Sequence, residues 1–388
     1  MREYAPRAAV IGFSVMTQTL PNAMIMAEML RTLAPGVPQV WGGIHPTLYP
    51  RETARHPLVD VVVRDEGEFS LKEIADAVSA DPSGWRSRLP GIPGLVFRDR
   101  EGQLQETGKR DLLDPESLPP TDYRAMDQEM LRRHNDFRIN TSRGCPFRCA
   151  FCANVLLNYR RYRSLSVPRI IAETRQALAL YPNIDLIYYR DELFVAGRKK
   201  MLEFSAAMRD SKIAIRWQAT AHALLFREGV IDVPVLKQMK EAGCYRLLVG
   251  CESGSQKILN LLKKDITPEH ILRMTRFCQE AGISLSASFM VGLPGETKED
   301  IYQTTGMIKK MHEIYPGFIR TVNSRGEAVY KEGLALMGPH LFRPYPGGEL
   351  FDLVVREYGW HSPSDLEGWR DYCVQNRKVT ASSLPWVK

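Results

Sequence analysis

Three cysteines lie in the stretch Ser142-Arg143-Gly144-Cys145-Pro146-Phe147-Arg148-Cys149-Ala150-Phe151-Cys152-Ala153, in the order C-x3-C-x2-C. Three thiolates on one short loop can hold three corners of a cubane 4Fe–4S cluster, because cysteine sulfur binds such clusters. Only three ligands are supplied, so one iron stays open to another molecule. A two-cluster ferredoxin would supply four cysteines, and a structural zinc site would also close with four ligands. No fourth Cys or His adjoins the run, the nearest being His134. The spacing therefore predicts an open-iron cluster held by Cys145, Cys149 and Cys152.

The composition is that of an ordinary globular chain with two domains, or with one domain and an appendage. It has 388 residues, of which 44% are hydrophobic and 25% are charged. No apolar run approaches the ~18 residues of a membrane helix. The apolar stretch Ala8 to Met16 precedes Thr17-Gln18-Thr19 where a signal peptide would have a small-residue cleavage site, so it predicts a buried strand. Seven cysteines, three of them clustered, do not form a secreted disulfide framework, and they favour a reducing, cytoplasmic location.

The net charge of +7 raises the question of a nucleic-acid partner. Nine arginines fall between Arg124 and Arg163, around the cysteine loop. Acidic residues are interleaved with them, and no aromatic stacking module or RNA-binding appendage follows. A modest charge excess indicates solubility and steering before it indicates a partner. We therefore do not expect nucleic acid to be the partner.

Residues 1–80 alternate between strand and helix patterns, which predicts a parallel α/β domain. The predicted strands are Ala8–Phe13, Val37–Trp41 and Val59–Val63, and the predicted helices are Pro21–Leu33 and Phe69–Val78. Residues 81–136 are rich in proline and glycine and predict a connector. A small hairpin is predicted within it, from Gly94–Arg98 and Gln103–Thr107.

From residue 137 to residue 358 the alternation resumes, and residues 359–388 are expected to form a short tail. The predicted strands are Arg138–Thr141, Ile184–Tyr189, Ala214–Thr220, Tyr245–Cys251, Leu285–Val291 and His340–Arg343. The predicted helices are Pro168–Leu180, Lys199–Arg209, Val233–Ala242, Ser255–Leu262, Pro268–Ala281 and Lys298–His312. Parallel strands need crossover helices, and these crossovers are right-handed, so six such units predict a partial (βα)6 TIM-like barrel.

Polar candidates follow each predicted strand of this barrel, where βα barrels carry their functional groups. In chain order they are the cysteine loop, Asp191-Glu192, Gln218 with His222, Glu252-Ser253, Gly292–Glu296 and Arg343-Pro344-Tyr345. All of them are predicted to lie on one rim of the barrel.

With these residues in view, the chain resembles the radical S-adenosylmethionine (SAM) superfamily, and within it the cobalamin-binding branch. The strongest part of the resemblance is the cysteine loop, in which Phe151 takes the place of the family's aromatic residue beside the adenine. The resemblance implies that the open iron is chelated by the amino and carboxylate groups of SAM. It also implies that one electron from the cluster cleaves SAM to methionine and a 5′-deoxyadenosyl radical.

The resemblance also assigns the residues that would bind SAM. Asp191-Glu192 occupies the family's position for holding the methionine amino group, although acidic residues are also common in surface loops. Glu252-Ser253 resembles the segment that contacts ribose and carboxylate. Gly292, Gly295 and Glu296 belong to a turn that resembles the adenine-binding turn. Gln218 is assigned on weaker grounds and could instead be a satisfied core residue.

The first domain resembles the family's cobalamin-binding half-domain, a Rossmann/flavodoxin-like parallel α/β fold, here in shortened form. The residues that carry this resemblance, and that would border the cobalamin, are Ser14, Thr17, Gly42, Gly43 and Glu66. Small residues after parallel strands suit a flat ring that lies across the strand ends. In the alternative interpretation, Gly42-Gly43 is only a tight turn and His45 a structural residue.

Two departures from the family are expected to matter. A βαβα stretch that usually precedes the strand at Ala8 is missing, which implies either a fragment or a reduced sheet with a weakened cobalamin pocket. The segment Ile319–Met337, which contains Asn323-Ser324-Arg325-Gly326, resembles an insertion before the sixth strand.

The resemblance implies a cobalamin-dependent methyltransferase that acts on an unactivated carbon of a small molecule or natural product. An external one-electron reductant of the flavodoxin or ferredoxin type is implied as well. The first alternative is a radical SAM oxidoreductase or cyclase without methyl transfer or without cobalamin. An alternative of another class is a non-catalytic iron–sulfur binding or electron-transfer protein, or a degenerate fragment. A methylthiolating tRNA enzyme is disfavoured because a second cysteine set is missing.

Overall fold

Parallel β-strands alternate with helices along most of the chain, as the sequence predicts. The computed structural model describes residues 3–322, 328–375 and 384–387. Its contacts divide the chain into two units. The N-terminal unit comprises Met1–Leu113, Phe151–Leu157 and Arg343–Pro385, and the barrel unit comprises Asp114–Ala150, Asn158–Phe342 and Trp386–Lys388.

The N-terminal unit contains a mixed sheet of five strands in the order β1-β2-β3-β4-β5. Its first elements are β1 (Ile11–Ser14), α1 (Leu20–Leu33), β2 (Gln39–Gly42), α2 (Ile44–Leu48), α3 (Pro50–Arg55), β3 (Val61–Val63), α4 (Glu68–Ala80), β4 (Leu95–Arg98) and β5 (Leu104–Glu106). The strands β1, β2 and β3 are parallel, whereas β4 and β5 are antiparallel to their neighbours.

The valine-rich strand β3 is buried on both faces, as its β-branched sequence predicts. Val61, Val62 and Val63 are at most 3% exposed. Val62 packs in one hydrophobic cluster of the unit, whereas Val61 and Val63 pack in another. This strand therefore separates two layers of side chains.

The predicted connector differs from what the structure shows. The hairpin β4–β5 forms where the sequence places it, but Val61 of β3 pairs with Phe97 of β4, so the hairpin extends the sheet. Its apolar residues Leu95 and Val96 are fully buried for this reason. Proline and glycine content indicates turns but does not say with which strand a hairpin pairs.

The barrel unit contains six parallel strands in the order β15-β12-β11-β10-β9-β6. From residue 114 to residue 342 the helices are α5 (Gln128–Arg132), α6 (Asn154–Leu157), α7 (Val167–Leu180), α8 (Arg198–Asp210), α9 (Val233–Glu241), α10 (Gln256–Leu261), α11 (Pro268–Ala281) and α12 (Lys298–Ile314). The strands are β6 (Asp136–Ile139), β7 (Ser142–Arg143), β8 (Arg163–Ser164), β9 (Leu186–Tyr189), β10 (Arg216–Ala221), β11 (Cys244–Glu252), β12 (Ser284–Val291), β13 (Phe318–Val322), β14 (Ala328–Glu332) and β15 (Leu334–Leu341). Short 3-10 helices occur at Ala5–Arg7, Thr17–Thr19, Trp85–Gly91, Pro115–Ser117, Tyr123–Ala125 and Ala223–Leu225.

One face of this sheet carries the core of the barrel unit. Alternate strand residues such as Ile187, Trp217 and Leu247 are fully buried, in one cluster with Phe204 of α8 and Met239 of α9. The two-residue alternation of a strand therefore leaves the even-numbered positions of β9 and β10 on the opposite face. The predicted partial barrel is thus confirmed, with helices on its outer face.

The sixth strand was predicted at the wrong place. It runs over Leu334–Leu341 and not over His340–Arg343. Leu336 and Met337 are exposed on this edge strand and Gly338-Pro339 follows, so the apolar alternation that marks a strand is lost. The expected insertion Ile319–Met337 is mostly the antiparallel pair β13–β14, and Asn323-Ser324-Arg325-Gly326 lies outside the described residues.

The expected tail contains a helix that belongs to the core of the N-terminal unit. The last two helices are α13 (Glu349–Glu357) and α14 (Leu366–Gln375). Trp369 of α14 is fully buried, and it shares a cluster with Trp41 of β2 and Leu20 of α1. Among the described residues, no helix is both long and apolar enough to cross a membrane.

Candidate active site

The barrel unit brings together the ends of four strands that the sequence predicts to carry the rim, whereas Arg343-Pro344-Tyr345 belongs to the N-terminal unit. Ile139, Tyr189 and Ala219 lie side by side in adjacent parallel strands, and Ala219 is in register with Leu247. Side chains that follow these positions therefore lie at one edge of the sheet. Cys145 and Cys149 follow β6 at this edge, whereas Phe151 and Cys152 belong to the N-terminal unit.

The first part of the cysteine loop is fixed by contacts to the segment after α10. The N–H of Ala150 donates to the carbonyl of Leu262 over 2.8 Å. Arg148 donates to both carboxylate oxygens of Asp265, each over 2.8 Å. Gly144 has φ of +80°, and a Cβ there would lie 2.0 Å from the carbonyl oxygen of Arg161. The loop that carries Cys145 and Cys149 is thus held by contacts within the protein itself.

An aromatic stack supports the same loop. The ring of Phe147 lies 3.6 Å from the ring of His222, with 15° between their planes. Burial, followed by the nearby Lys264 ammonium, lowers the pKa of His222 to about 3, so the imidazole is neutral. Its Nδ1 accepts the N–H of Leu224, which fixes the ring. His222 therefore serves here as a support for Phe147.

The two neighbouring acids Asp191 and Glu192 have different environments. The carboxylate of Asp191 accepts the Thr141 N–H over 2.6 Å, the Thr141 hydroxyl over 2.6 Å and the Ser142 hydroxyl over 2.7 Å. Asp191 is 3% exposed, whereas Glu192 is exposed. Burial by surrounding atoms nevertheless raises the pKa of Glu192, against hydrogen bonds from backbone N–H groups that include that of Gly144. Glu192 is thus the more accessible of the two acids.

Asp191→Asn and Glu192→Gln are therefore expected to act differently. Asp191→Asn removes a buried charge that accepts three hydrogen bonds, so it should lower the unfolding free energy by roughly 2–4 kcal/mol. Glu192→Gln should leave stability within about 0.5 kcal/mol and weaken SAM binding about tenfold or more. Urea unfolding and equilibrium SAM binding of both variants check this. An Asp191 variant of unchanged stability would contradict the structural role.

Sequence reasoning missed Lys264, which lies against the predicted site residue Glu252. The Lys264 Nζ is 3.2 Å from Glu252 Oε1, and the two side chains are 7% and 8% exposed. Burial alone would lower the pKa of Lys264, but Glu252 and Cys149 raise it overall, so the ammonium stays charged. Glu252 has φ of +63°, in the left-handed region. This is a buried cation beside the cysteine loop, where a carboxylate ligand could bind.

Ser253, predicted to contact SAM, instead belongs to a hydrogen-bonded network. Its hydroxyl lies 3.0 Å from that of Thr304 and accepts the Ser255 N–H. The Ser255 hydroxyl donates to Asp300 Oδ1 over 2.6 Å, and Lys257 donates to Asp300 Oδ2 over 2.9 Å. Ser253 therefore shapes the backbone after Glu252. Its predicted contact with the cofactor stays a prediction.

The predicted adenine turn is held by its own acid. Glu296 Oε2 accepts the N–H groups of Gly292 and Leu293 over 2.6 and 3.3 Å, and the Gly292 carbonyl accepts the Trp386 indole N–H over 2.7 Å. Burial raises the pKa of Glu296. The backbone groups of Gly292 are thus already engaged, and the φ of +71° at Gly295 shapes the turn.

The weakest SAM candidate, Gln218, lies on the face of β10 opposite the core. Its Oε1 accepts the hydroxyl of Tyr245 over 3.0 Å. Gln218 is partly exposed, and it lies beside Tyr188 of the neighbouring strand β9. A contact of Gln218 with SAM stays a prediction.

The cobalamin candidates meet at the carboxyl edge of the sheet in the N-terminal unit. Ser14 of β1 is exposed and in register with Gly42 of β2. Gly43 has φ of +93°, and a Cβ there would lie 2.7 Å from the Val15 nitrogen. The carboxyl edge of parallel strands is the usual ligand crevice of an open α/β sheet. Ser14 and Gly42 therefore fit a flat ligand, while Gly43 is required by the packing of the turn.

Thr17 and Glu66 are engaged within the same unit. The Thr17 hydroxyl lies 3.1 Å from Nδ1 of His45, and Glu66 accepts the N–H of Leu113 over 2.9 Å. Burial lowers the pKa of His45 to about 4. His45 is thus a neutral, fully buried residue, in agreement with the structural interpretation. Contacts of Thr17 and Glu66 with cobalamin stay predictions.

Comparison with known proteins identifies the family. The model of the Radical SAM superfamily matches residues 139–308, and the B12 binding domain matches residues 2–75. An uncharacterized methyltransferase of Pyrococcus horikoshii is 31% identical over 89% of this chain and 69% of its own. The chain belongs to the radical SAM superfamily. Within the residues that its model matches lie Cys145, Cys149 and Cys152.

Other relatives of this radical SAM chain are more distant. An anaerobic magnesium-protoporphyrin IX monomethyl ester cyclase of Rubrivivax gelatinosus is 24% identical, over 77% of this chain and 54% of its own. The solved structure of OxsB, a cobalamin-dependent SAM radical enzyme, matches 95% of this chain and 47% of its own at 18% identity, with a TM-score of 0.65. The structure of TsrM, a radical SAM methyltransferase from Kitasatospora setae, matches 80% of this chain and 62% of its own at 20% identity, also with a TM-score of 0.65. This chain thus spans only part of each.

These findings confirm the predicted family, its cobalamin-binding branch and the α/β fold class. They also confirm the cofactor set of the radical SAM family with a B12 domain, namely a 4Fe–4S cluster, SAM and cobalamin. The alternatives without cobalamin or without catalysis are not favoured. Among the described residues, no three His, Cys, Asp or Glu side chains are grouped to hold a single metal ion.

Proposed function

We propose that this chain is a cobalamin-dependent radical SAM methyltransferase that acts on an unactivated carbon of a small molecule. The observation that carries the proposal is that one chain combines the three-cysteine loop with a B12 binding domain. The methyltransferase relative at 31% identity supports methyl transfer as the reaction. The reductant would be an external protein of the flavodoxin or ferredoxin type, and the location cytoplasmic.

The residues of the cysteine loop and of the barrel unit have distinct roles in this proposal. The thiolates of Cys145, Cys149 and Cys152 would hold the cluster, which supplies one electron to the sulfonium of SAM when bound. Glu192 would accept hydrogen bonds from the methionine ammonium, and Lys264 would donate to the carboxylate. Charge-assisted hydrogen bonds of this kind are the strong ones, and they fix the orientation of the amino acid moiety.

The N-terminal unit would hold the cobalamin at the strand edge near Ser14 and Gly42. When bound there, cobalamin supplies the methyl group. Gly42 adds no side chain to this edge, which suits a flat ring, and a Cβ there would also lie 3.3 Å from the carbonyl oxygen of Val63 in the neighbouring strand. The N-terminal unit would therefore offer cobalamin a strand edge without bulky side chains.

Cobalamin retention and product analysis test the proposal. After anaerobic purification, reconstitution with iron and sulfide, addition of hydroxocobalamin and desalting, we expect near-stoichiometric cobalt and about four irons per chain. Ser14→Phe should lower the cobalt content several-fold, whereas Ser83→Phe, an exposed position in the same unit, should leave it unchanged. Bound iron without bound cobalt after desalting would contradict the proposed dependence on cobalamin. A cyclised or oxidised product without a new methyl group would favour the alternative of an oxidoreductase or cyclase. The Rubrivivax relative is a cyclase.

A further inference from the structure

The face of the barrel sheet opposite its core carries a row of polar side chains across five strands. The register places Arg138 of β6 beside Tyr188 of β9, and Tyr188 beside Gln218 of β10. Gln218 is in turn beside Arg246 of β11, and Arg246 is beside Ser284 of β12. Adjacent strands are ~4.8 Å apart, so Arg138 and Arg246 lie about 14 Å apart along this row. We call the surface that contains this row the inner face.

A third arginine, Arg190, lies on the inner face, two residues closer to the rim than Tyr188. The N–H of Arg190 donates to the Ile139 carbonyl, so the β9 geometry continues to Arg190 and its side chain falls on the same face as Tyr188. Arg190 is exposed and Tyr188 is partly exposed. Burial raises the pKa of Tyr188, while the charges of Arg190 and then Arg138 oppose that rise, so both guanidinium groups are near the phenol.

Arg246 lies at the other end of the row. Its guanidinium carbon is 4.9 Å from the centre of the Tyr245 ring, and the Tyr245 hydroxyl donates to Gln218. A terminal nitrogen of this guanidinium donates to the Lys331 carbonyl, whereas its Nε is buried and has no hydrogen-bond partner among the described residues. A buried donor without a partner is costly, so a site that supplies an acceptor would be favoured here.

The charges of the inner face are not balanced by carboxylates. On the outer helices, arginines pair with acids, and these pairs are Arg169–Glu173, Arg198–Asp232, Arg209–Glu241 and Arg276–Glu269. On the inner face, Arg138 has Asp136 at 3.6 Å. In the described part of the chain neither Arg190 nor Arg246 has a carboxylate within ion-pair distance. The carboxylate that follows Arg190 in sequence, that of Glu192, is at the rim and is assigned above to the ammonium of SAM.

We infer that the inner face binds an oxyanion of the substrate, a carboxylate or a phosphate or phosphonate group, through Arg190 and Arg246, with Arg138, Tyr188 and Gln218 completing the site. This inference rests on the proposed function, since it takes the inner face as the place of the substrate. Guanidinium groups match these oxyanions because they donate two parallel hydrogen bonds as well as a charge. The substrate class is therefore an anionic small molecule, and the reacting carbon lies between its anionic group and the rim.

Anion binding to the reconstituted full-length chain with SAM tests this inference. Isothermal titration at low salt with inorganic phosphate and, separately, with succinate should show binding of at least one of them. Arg190→Gln and Arg246→Gln should each weaken it about tenfold or more, because hydrogen bonds to a charged group are lost. Arg209→Gln, on the outer helix α8, is the matched control and should bind as the unaltered chain does. The arm that responds assigns phosphate-type or carboxylate-type chemistry.

Iron content and substrate-free cleavage of SAM to 5′-deoxyadenosine are measured on the same proteins, which separates the two proposals. Normal iron and cleavage in the arginine variants, with weakened anion binding, supports the inference. Normal iron and cleavage with no anion binding, or with binding equal in all variants, overturns the inference and leaves the proposed function intact. If the unaltered chain does not cleave SAM, that result counts against the proposed function.

Discussion

Cys149→Ala is expected to abolish both cluster assembly and SAM cleavage. Cys149 is 9% exposed, and the chain supplies only three loop thiols for the cluster. Two remaining ligands cannot hold three corners of a cubane, so iron should fall from about four per chain to near zero. Without the cluster no electron reaches the sulfonium, and 5′-deoxyadenosine formation should fall below detection. Iron analysis, the visible spectrum and chromatography of the SAM products measure these effects.

The matched control is Cys278→Ala, since Cys278 is a fully buried thiol of α11 that packs in the core of the barrel unit. Burial raises the pKa of this thiol to about 12, so it is an uncharged apolar group and not a metal ligand. We expect its iron content and SAM cleavage to be those of the unaltered chain. The cluster assignment would be falsified if Cys149→Ala kept full iron content and cleavage.

Local patterns were sufficient to predict the strands that are buried on both faces and the helices with clear ends. Val61–Val63 is one such strand, and helix α11 begins at Pro268 and ends before Gly282, which has φ of +66°. The pairing of the β4–β5 hairpin with β3 could not be predicted, because it depends on a contact that turn residues do not encode. The edge strand β15 was misplaced because its exposed residues lack the alternation of a buried strand.

The site shows the same division between local and non-local information. The two-residue period of β9 already places Asp191 on the side of Tyr189 and Glu192 on the side of Tyr188, so their different roles were within reach of the sequence. The role of Lys264 was not, because Lys264 follows α10 in an irregular segment in which its neighbours Lys263 and Asp265 have positive φ. In the sequence, the Lys263-Lys264 pair predicts two charges on the surface. Only the fold brings one of the two lysines against Glu252.

Lys264→Met is expected to have the largest effect on stability. It removes the cation from a buried ion pair and leaves the Glu252 carboxylate, which is 8% exposed on its side chain, without its counter-charge. Breaking such a pair on one side costs about 3–5 kcal/mol. Urea unfolding of the anaerobic protein should show this loss in the transition of the barrel unit. Lys263→Met, the neighbouring and partly exposed lysine, should change stability by less than about 0.5 kcal/mol.

The double variant Glu252→Gln with Lys264→Met separates the structural role of Lys264 from its role toward SAM. Because both charges are then gone, most of the lost stability should return, as replacement of a whole buried pair is often close to neutral. SAM affinity should stay about tenfold or more below that of the single variant Glu252→Gln, which accounts for any contact of Glu252 itself, since the carboxylate of SAM would still lack its cation. If the stable double variant bound SAM normally, Lys264 would be a packing residue only, and the carboxylate of SAM would have to be held elsewhere on the rim.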